Sequence, residues 1–432
     1  MAETSYVRSA MLAPQKPPAS ETGAVHWVRA NLLSSWGNIA LTILSVYVIY
    51  VIVATIGPWF YRSVWTAGSL EECRQIIAET WGEGKRGACF AVIAERWQQI
   101  LFGFYPKELY WRPTLTLVLM LVALGPILFS WVPKQILWFS ITFPAVAFWL
   151  LWGGSVWLPV MILVGFASGF AAFRVISNVN GLAGALSAAL VPVLWWVFLC
   201  NPAAELVQSV LPIGLVELGS DQFGGFLLST VIGVSGITFS LPLGILLALG
   251  RQSDLLIVKS FCVAFIEGFR GVPLITLLFV ASLLLNYFLP PGTTFDVILR
   301  VIIMVTIFSA AYMAEVIRGG LAALPRGQYE AADALGLDYW KAQRLIIMPQ
   351  ALKVSIPGIV GNFIGLFKDT TLVSFISLSD PMQLVSAIRA NQEWNGIYWE
   401  LFIFVGLLFF IFCFSMSRYS MYLENKLKTD HL

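Results

Sequence analysis

The sequence predicts an all-α integral membrane protein with about ten transmembrane helices. Of its 432 residues, 58% are hydrophobic and only 12% are charged, which is far more apolar than a soluble domain of this length. Apolar runs of roughly 20 residues, the length that crosses about 30 Å of hydrocarbon, recur from residue 38 to residue 420. The first 36 residues are polar and mixed, so a cleaved signal peptide is not expected.

Ten apolar windows are expected to form the spans, with bounds uncertain by a few residues. They are 38–60, 113–133, 135–153, 157–175, 182–200, 225–249, 261–288, 296–318, 354–376 and 398–418. The three windows between 113 and 175 are closely spaced. They are either three separate spans, or one of them is re-entrant or merged with its neighbour. With the N-terminus inside, the inner segments collect most Lys and Arg, while the short outer segments hold essentially Arg389 alone. Both termini are therefore expected in the cytoplasm.

A polar patch from Glu217 to Phe223 divides the chain into two unlike parts. The predicted organisation is a cytoplasmic tail (1–36), a transmembrane extension (37–222) with a periplasmic loop (61–112), a second transmembrane part, here named the core (223–425), and a second cytoplasmic tail (426–432). The loop is either a small folded cap or a plain connector. Three roles are open for the extension: it packs around the core, it widens an interface with a partner, or it seats membrane lipid. Charges inside spans are concentrated in the second half, where the functional site is therefore sought.

The five cysteines fall into two groups. Cys200, Cys262 and Cys413 sit in apolar runs, where cysteine is an ordinary packing residue. Cys73 and Cys89 share the polar loop and are either a disulfide in an oxidising periplasm or two free thiols. The chain has only two histidines and no zinc-like spacing, so no metal site is predicted.

A polar segment with its own helix signals lies between the spans that end near Arg318 and begin near Val354. Gln328 to Leu335 reads as a short helix, and Gly336 breaks or turns it. Asp338 is expected to cap a second short helix that runs to Met348 and is closed by Pro349. Its small and aromatic side chains suit a partner's groove.

The spacing in this segment resembles the EAA loop of ABC-importer permeases: Glu-Ala-Ala, three residues, Gly, nine residues, Ile, one residue, then a hydrophobic-Pro pair. The matching residues are Glu330, Ala331, Ala332, Gly336, Ile346 and Pro349, with Met348 in place of the usual Leu. The resemblance implies a coupling loop, residues 325–349, that docks on a separate ATP-hydrolysing subunit and uses Glu330 and Gly336 for energy coupling. The alternative is an ordinary amphipathic loop.

The flanking sequences resemble the polar amino-acid branch of that family, over about residues 223–425. Phe265 to Leu274 looks like the Glu-x-x-Arg-Gly-x-Pro-Leu motif, Ala311 to Gly320 is similar to the third core span, and Lys368 to Leu372 is similar to Lys-Asp-Thr-Ser-Leu with Thr371 in place of Ser. With its apolar extension, the chain resembles permeases of the general L-amino-acid transporters. The resemblance implies a bacterial inner-membrane complex with an AapQ-like second permease, two copies of an ATPase that bind ATP and Mg, and a periplasmic amino-acid-binding protein.

An amino acid is a zwitterion, so its path through hydrocarbon must compensate a carboxylate and an ammonium group. Glu267 and Arg270 stand on one helical face and are expected roughly 9 to 17 Å into their span by the rise of 1.5 Å per residue. In the span that begins near Val354, Pro357, Gly358 and Gly361 are expected to interrupt the helix before Lys368 and to expose backbone groups to a cavity. The candidates for the path are Glu267, Arg270, Tyr312, Asn362, Lys368, Asp369, Thr370 and Thr371.

Structural alternatives remain for each of these candidates. For the charged candidates, the alternative is an ion pair that fixes the register of the helices. The pairs would be Glu267 with Arg270, and Lys368 with Asp369 or Glu315. For Asn362, Thr370 and Thr371, the alternative is a hydrogen bond between helices, and for Tyr312 it is packing.

Several classes of protein are disfavoured by the sequence. It contains no Gly-x-x-x-x-Gly-Lys-Ser/Thr motif, no Ser-His-Asp set and no metal cluster, so neither ATP binding nor enzymatic activity is expected on this chain. The net charge of +2 gives no support to nucleic-acid binding. The competing class is an ion-gradient-driven secondary transporter, built from inverted repeats; the first half shows no second Lys-Asp-Thr segment. A structural membrane scaffold is disfavoured by the charges inside residues 267–370.

Overall fold

The computed structural model describes residues 23–284 and 296–427. The outermost parts of the two predicted tails (1–22 and 428–432) and the end of the predicted window 261–288 lie outside the described residues. The chain forms two compact units, one ending at Ala91 and the other running from Val92 onwards.

The first unit contains one apolar span and a folded extramembrane segment. Its helices are α1 (Gly23–Asn31), α2 (Trp36–Tyr61) and α3 (Leu70–Trp81). The side chain of Ser35 caps α2 by accepting a hydrogen bond from the N–H of Asn38. Cys73 on α3 and Cys89 form a disulfide with their Cα atoms 6.0 Å apart, and both residues are buried. The beginning of the predicted loop 61–112 is thus folded around a disulfide, as a cap would be.

Six helices of the second unit precede the polar patch. They are α4 (Ala91–Phe102), α5 (Trp111–Leu128), α6 (Leu137–Trp152), α7 (Trp157–Ile176), α8 (Gly181–Leu194) and α9 (Cys200–Val210). A π-helical turn, Trp195–Leu199, joins α8 to α9 in one span. The three closely spaced windows are separate spans, α5 to α7. Two-residue strands, β1 (Gly154–Ser155) and β2 (Gly214–Leu215), pair antiparallel.

In the described residues after the polar patch, 225–284 and 296–427, there are nine helices. They are α10 (Gly225–Arg251), α11 (Leu256–Arg270), α12 (Leu274–Phe279), α13 (Val297–Ala322), α14 (Arg326–Ala334), α15 (Tyr339–Ala342), α16 (Met348–Asp369), α17 (Pro381–Arg389) and α18 (Trp399–Leu427). Over residues 23–284 and 296–427, nine helical segments are long and apolar enough to cross a membrane, and one bent pair brings the number to ten. The predicted all-α membrane fold is confirmed.

Helices α10, α13 and α16 form the centre of the second half. Gly244 of α10 lies against Met313 of α13, where a Cβ would come within 2.7 Å of the Met313 Cβ, so only glycine permits this approach. On the other side of α13, Ser355 of α16 donates a hydrogen bond to the Val316 carbonyl at 3.3 Å. Buried aliphatic side chains fill the space between the three helices, as in Ile317, which is fully buried.

The predicted window 261–288 is not one straight span. Helix α11 ends at Arg270, and the chain turns by 100° before α12 begins at Leu274. Pro273 explains the break, because proline disfavours helical geometry at Val272 before it and itself lacks an N–H donor. The expected single span is therefore a bent pair, and α12 continues as a π-helical segment, Val280–Leu284.

The predicted interruption near Pro357 is also absent. Helix α16 continues from Met348 through Pro357 to Asp369. A proline inside a helix removes one backbone donor and often bends the axis, which a packed helix can tolerate. The departure from α geometry comes later, in the 3₁₀ segment Thr370–Ile376.

A buried carboxyl group outside the spans gives the first prediction, a pH dependence of stability. Asp380 is fully buried and caps α17, where its side chain accepts from the N–H groups of Met382 and Gln383. Burial raises the pKa of Asp380 from 3.8 to about 6. Between these two values the folded chain binds more protons than the unfolded chain, so the free energy of unfolding should fall as pH rises from about 4 to 6, by up to about 3 kcal/mol.

Asp380→Asn should remove this dependence, because asparagine keeps the cap without a charge. We expect the variant to equal or exceed the wild type in thermal stability at pH 7.5 and to lose the slope between pH 4 and 6. The thermal unfolding midpoints of both purified proteins, recorded from pH 4 to pH 7.5, measure this dependence of stability on pH. An unchanged slope in the variant would contradict the assignment.

Candidate functional site

The predicted coupling loop folds as a short helix ended by a tight turn. Helix α14 spans Arg326–Ala334, close to the expected Gln328–Leu335. Gly336 has φ = 67°, in the left-handed region that glycine adopts without strain. Its N–H donates to the Asp333 carbonyl at 2.9 Å, and the Leu337 N–H donates to the Ala332 carbonyl at 3.2 Å. These two bonds form a Schellman motif, which is why the helix ends at this glycine.

The chain after the turn is helical for longer than expected. Asp338 caps α15 as predicted, with its carboxylate accepting from the Lys341 N–H at 3.0 Å. The prediction that Pro349 closes this helix is wrong. A π-helical stretch, Gln343–Ile347, leads directly into α16, and Pro349 lies in the first turn of α16. Pro349 supplies no N–H to this continuous helix, and the π-helical turn directly before it is where the regular α-helical bonding is interrupted.

One side of the coupling loop is anchored and the other is exposed. Ala332 and Ile347 are buried, Ile346 packs beside them, and Gln350 of α16 donates to the Gln328 side chain at 2.9 Å. The opposite side exposes Leu335 (72%), Tyr339 (53%) and Trp340 (66%), together with the polar or small side chains of Glu330 and Ala331. Exposed aromatic side chains on a fixed support are typical of a protein-binding surface.

Charged side chains from three helices meet around Glu315 of α13. The group, here named the Glu315 cluster, consists of Arg251, Glu267, Arg270, Glu315 and Arg318. Glu315 lies 2.6 Å from Arg251, 2.9 Å from Arg318 and 3.7 Å from Arg270. Arg251 also lies 2.8 Å from Glu267, whereas Glu267 and Arg270 are 4.0 Å apart. The expected Glu267–Arg270 pair is therefore part of a larger network.

The depth of Glu267 and Arg270 stays a prediction, but the straight span that it assumed is absent. Arg251, which contacts Glu267, is the last residue of α10, and the chain bends directly after Arg270. The prediction counted residues along a straight span, and α11 is only the first arm of a bent pair. The Glu315 cluster therefore lies at the end of α10, on the side where α13 leads into the coupling loop.

The Glu315 cluster gives a prediction on stability. Glu315→Gln should lower the free energy of unfolding by about 3 kcal/mol, because three arginines lose the carboxylate they share. Glu267 has a side chain 54% exposed, so Glu267→Gln is the matched control and should cost less than about 1 kcal/mol. The loss of stability is measured as the thermal unfolding midpoint of each purified variant relative to the wild type. Equal midpoints in the two variants would contradict the role of Glu315.

Lys368 lies near the end of α16, inside the span. Its neighbours Phe367 and Thr370 contact Gly233 of α10, which is eight residues from the start of that helix, or about 12 Å. Lys368 is exposed and takes part in none of the ion pairs of residues 23–284 and 296–427. The alternative that pairs it with Glu315 is wrong, because the arginines occupy Glu315. Asp369 is half-buried beside it.

Other candidates have structural contacts. Thr370 and Thr371 donate to carbonyls of their own helical segment, those of Phe367 at 2.8 Å and Lys368 at 2.9 Å. The Asn362 amide donates across to the Ser309 carbonyl of α13 at 3.3 Å, which matches the interhelical alternative. Tyr312 lies under Arg270, 5.4 Å from its guanidinium, and next to Phe308. Lys368 and Asp369 therefore keep the most freedom to meet a solute.

Sequence reasoning missed two arginines that the structure brings into contact with other elements. Arg251 was counted only as a flanking charge, although it bonds both glutamates of the Glu315 cluster. Arg300 is buried on α13 and donates to the Ala281 and Ser282 carbonyls at the end of the bent pair. A charge within the predicted apolar window 296–318 was the available signal for Arg300.

Comparison with known proteins gives consistent matches. Residues 240–429 match the family of binding-protein-dependent transport system inner membrane components. The chain is 59% identical, over the whole of both chains, to the glutamate/glutamine/aspartate/asparagine transport system permease BztC of Rhodobacter capsulatus. It is 37% identical, over 96% of both chains, to the inner membrane amino-acid ABC transporter permease YhdY of Escherichia coli. A crystal structure of an amino acid ABC transporter with histidines matches with 28% identity and a TM-score of 0.42, over 46% of this chain and 90% of that chain.

These full-length matches decide between the classes of transporter that the sequence left open. The chain is a multi-pass permease subunit of an ATP-driven importer, with the ATPase on a separate subunit, and the ion-driven alternative is not supported. The chain is accordingly not an enzyme, and the family works with a partner ATPase and a binding protein. The resemblance found in the EAA spacing is confirmed, and the chain belongs to the family of binding-protein-dependent ABC-transporter permeases that includes these inner-membrane amino-acid permeases.

Proposed function

We propose that this chain carries L-amino acids across the inner membrane and is driven through its coupling loop by a separate ATPase. The observation that carries the proposal is the two-sided loop: Ala332 and Ile347 are buried against the core, while Leu335, Tyr339 and Trp340 are exposed. An anchored base with an exposed aromatic tip suits a groove on a partner protein.

The helix geometry supports a mechanical role for the loop. From Tyr339 to Asp369 the chain is helical without a break, through α15, the π-helical stretch and α16, a length of about 45 Å. A displacement of the loop by the ATPase is therefore passed along α16 towards Lys368. Glu330 contacts the ATPase, Gly336 sets the direction of the turn, and Ala331, Ala332, Ile346 and Pro349 shape the segment. ATP and Mg bind on the partner ATPase.

The substrate path is proposed to follow one face of α16. Gly361, Gly365 and Lys368 are spaced i, i+4 and i+7, which puts them on a single face, and a Cβ at either glycine would meet no atom within 4 Å. This open face leads to a cation inside the span. Lys368 receives the substrate carboxylate and Asp369 the ammonium group. Arg270, Glu267 and Tyr312 lie at the end of the path near the coupling loop, and Asn362, Thr370 and Thr371 hold its wall.

The substrates are proposed to be acidic amino acids and their amides. BztC, which is 59% identical over the whole chain, is named for glutamate, glutamine, aspartate and asparagine. A lysine in the path suits the carboxylate that all amino acids share, and it does not by itself select a side chain. The choice among substrates belongs in part to the binding protein.

The full importer is proposed to contain an AapQ-like second permease facing the open side of α16, two copies of the ATPase and a periplasmic amino-acid-binding protein. The proposal keeps the organisation predicted from the sequence, with an extension (37–222), a core (223–425) and both tails (1–36 and 426–432) in the cytoplasm. The Cys73–Cys89 disulfide supports a periplasmic location of loop 61–112, since disulfides persist in oxidising compartments.

Uptake by proteoliposomes that contain the full complex tests the proposal. Labelled glutamate should accumulate when ATP is enclosed with the ATPase, and ionophores that collapse ion gradients should not reduce the initial rate. Glu330→Lys should lose uptake while the permease remains in the membrane, and the charge-reversal control Lys134→Glu, at an exposed position outside the coupling loop, should keep it. Uptake that stops with the ion gradients and persists without ATP would overturn the proposal.

A further inference from the structure

We infer that a cavity between the extension and the core binds an acyl chain of a membrane phospholipid. The cavity has a volume of about 910 Å³ and lies between α4, α5 and α6 on one side and α10 and α13 on the other. We name it the acyl cavity. Its walls are mainly apolar, with the side chains of Leu117, Met120, Phe143, Phe148, Val231 and Ile302 among those that line it. This inference does not depend on the substrate proposed above.

The acyl cavity extends along the membrane spans. On α5 it is lined from Pro113 to Ile127, which is about 21 Å of helix, and on α10 from Phe226 to Phe239, which is about 20 Å. Both stretches belong to spans that are long and apolar enough to cross a bilayer. The cavity therefore has the length and direction of a lipid chain that lies beside the protein.

The hydroxyl groups in the walls are already engaged. Five of the six Ser and Thr side chains that line the acyl cavity donate to backbone carbonyls: Thr114 to Tyr110, Thr116 to Arg112, Ser140 to Ala123, Thr230 to Phe226 and Thr238 to Val234. Their methyl and methylene groups are left to form the surface. A zwitterion or a chain of water molecules finds few donors there, whereas a hydrocarbon needs none.

Polar side chains gather at one end of the acyl cavity. Trp97 and Gln98 of α4 and Asp296, which precedes α13, line the end that includes Tyr110. Trp97 is 41% exposed, as is typical of tryptophan at a membrane interface. The lipid headgroup is therefore placed at the α4 end and the chain between α5 and α10.

The dimensions of the acyl cavity suit a hydrocarbon chain. It is lined along about 20 Å of α5 and α10 and has a volume of about 910 Å³. A single hydrocarbon chain is narrow enough to lie along this length, and it needs no hydrogen-bond partner in the walls. Of the apolar occupants that a membrane offers, the phospholipid also supplies a headgroup for the polar end.

Substitutions that fill the cavity test the inference in the purified complex. Ala147→Phe on α6 and Leu124→Trp on α5 both place larger side chains in the lining, whereas Val122 is 46% exposed on α5 and outside it. After extensive washing in lipid-free detergent, retained phospholipid is counted by mass spectrometry. We expect the combined filling variant to lose about tenfold and Val122→Trp to match the wild type. A wild type without retained phospholipid, or equal retention in all three proteins, would overturn the inference.

A second measurement needs no substitution in the lining, so it holds even if the filling variant fails to fold. The wild-type complex is incorporated in nanodiscs of phosphatidylglycerol that carries a photoreactive diazirine in its acyl chain. Cross-links should reach α10 between Phe226 and Phe239, which faces the acyl cavity. Cross-links confined to the exposed sides of α5 and α6, or a second protein chain cross-linked at these α10 positions, would contradict the inference.

Discussion

Gly336→Val is expected to reduce ATP-driven uptake by at least about tenfold while the permease still inserts and folds. Gly336 has φ = 67°, a conformation that costs a residue with a Cβ roughly 1–2 kcal/mol, and more for a β-branched side chain. No atom lies within 4 Å of a Cβ built there, so the effect comes from the backbone and not from a clash. The strain should break the Schellman bonds to the Asp333 and Ala332 carbonyls and turn Leu335 and Tyr339 out of the position proposed for docking on the ATPase.

The matched control is Gly336→Asn, because asparagine enters the left-handed region at low cost. It should keep most of the wild-type uptake. Initial rates in proteoliposomes with enclosed ATP, together with the amount of ATPase that co-purifies, separate coupling from assembly. Wild-type uptake in Gly336→Val would show that the turn has no part in coupling.

Lys368→Met should reduce uptake roughly 10- to 150-fold, the second large effect. A hydrogen bond to a charged group contributes about 1.5–3 kcal/mol, which is the loss expected when the substrate carboxylate has no cation to meet. Lys368 is exposed on α16, so methionine fits without disturbing a buried network. The loss should be seen in the maximal rate at saturating binding protein.

Two controls distinguish charge from packing at this position. Lys368→Arg keeps the cation and should recover part of the uptake. Ser374→Ala removes a hydroxyl that donates to the Thr371 carbonyl of its own segment and has no place in the proposed path, so it should leave uptake near the wild-type value. If Lys368→Met transports normally, the path does not use this residue.

The spans could be predicted from the sequence because hydrophobicity is a local property. The windows for α5, α6 and α7 match the helices closely, since each apolar run is bounded by polar or helix-breaking residues. The cap at Asp338 could be predicted because capping is also local. The Asp338 carboxylate accepts from the N–H of Lys341, only three residues further along the chain.

Contacts between residues far apart along the chain could not be predicted from the single sequence. Glu315 pairs with Arg251, which lies 64 residues away, and nothing in either local pattern selects that partner over Lys368. The break after Arg270 had a signal in Pro273, but Pro357 carries the same signal and leaves α16 continuous. The packing of the surrounding helices decides between the two outcomes, and a single sequence does not contain it.

The position of Trp340 in the working complex tests the central claim most directly. A photoreactive amino acid at position 340, on the exposed tip of the coupling loop, is compared with one at Trp399, an exposed tryptophan at the start of α18. The account predicts that position 340 cross-links to the ATP-binding subunit, with a yield that changes when ATP is added, and that position 399 does not. A cross-link to the ATPase from position 399, or none from position 340 in a complex that transports, would contradict it.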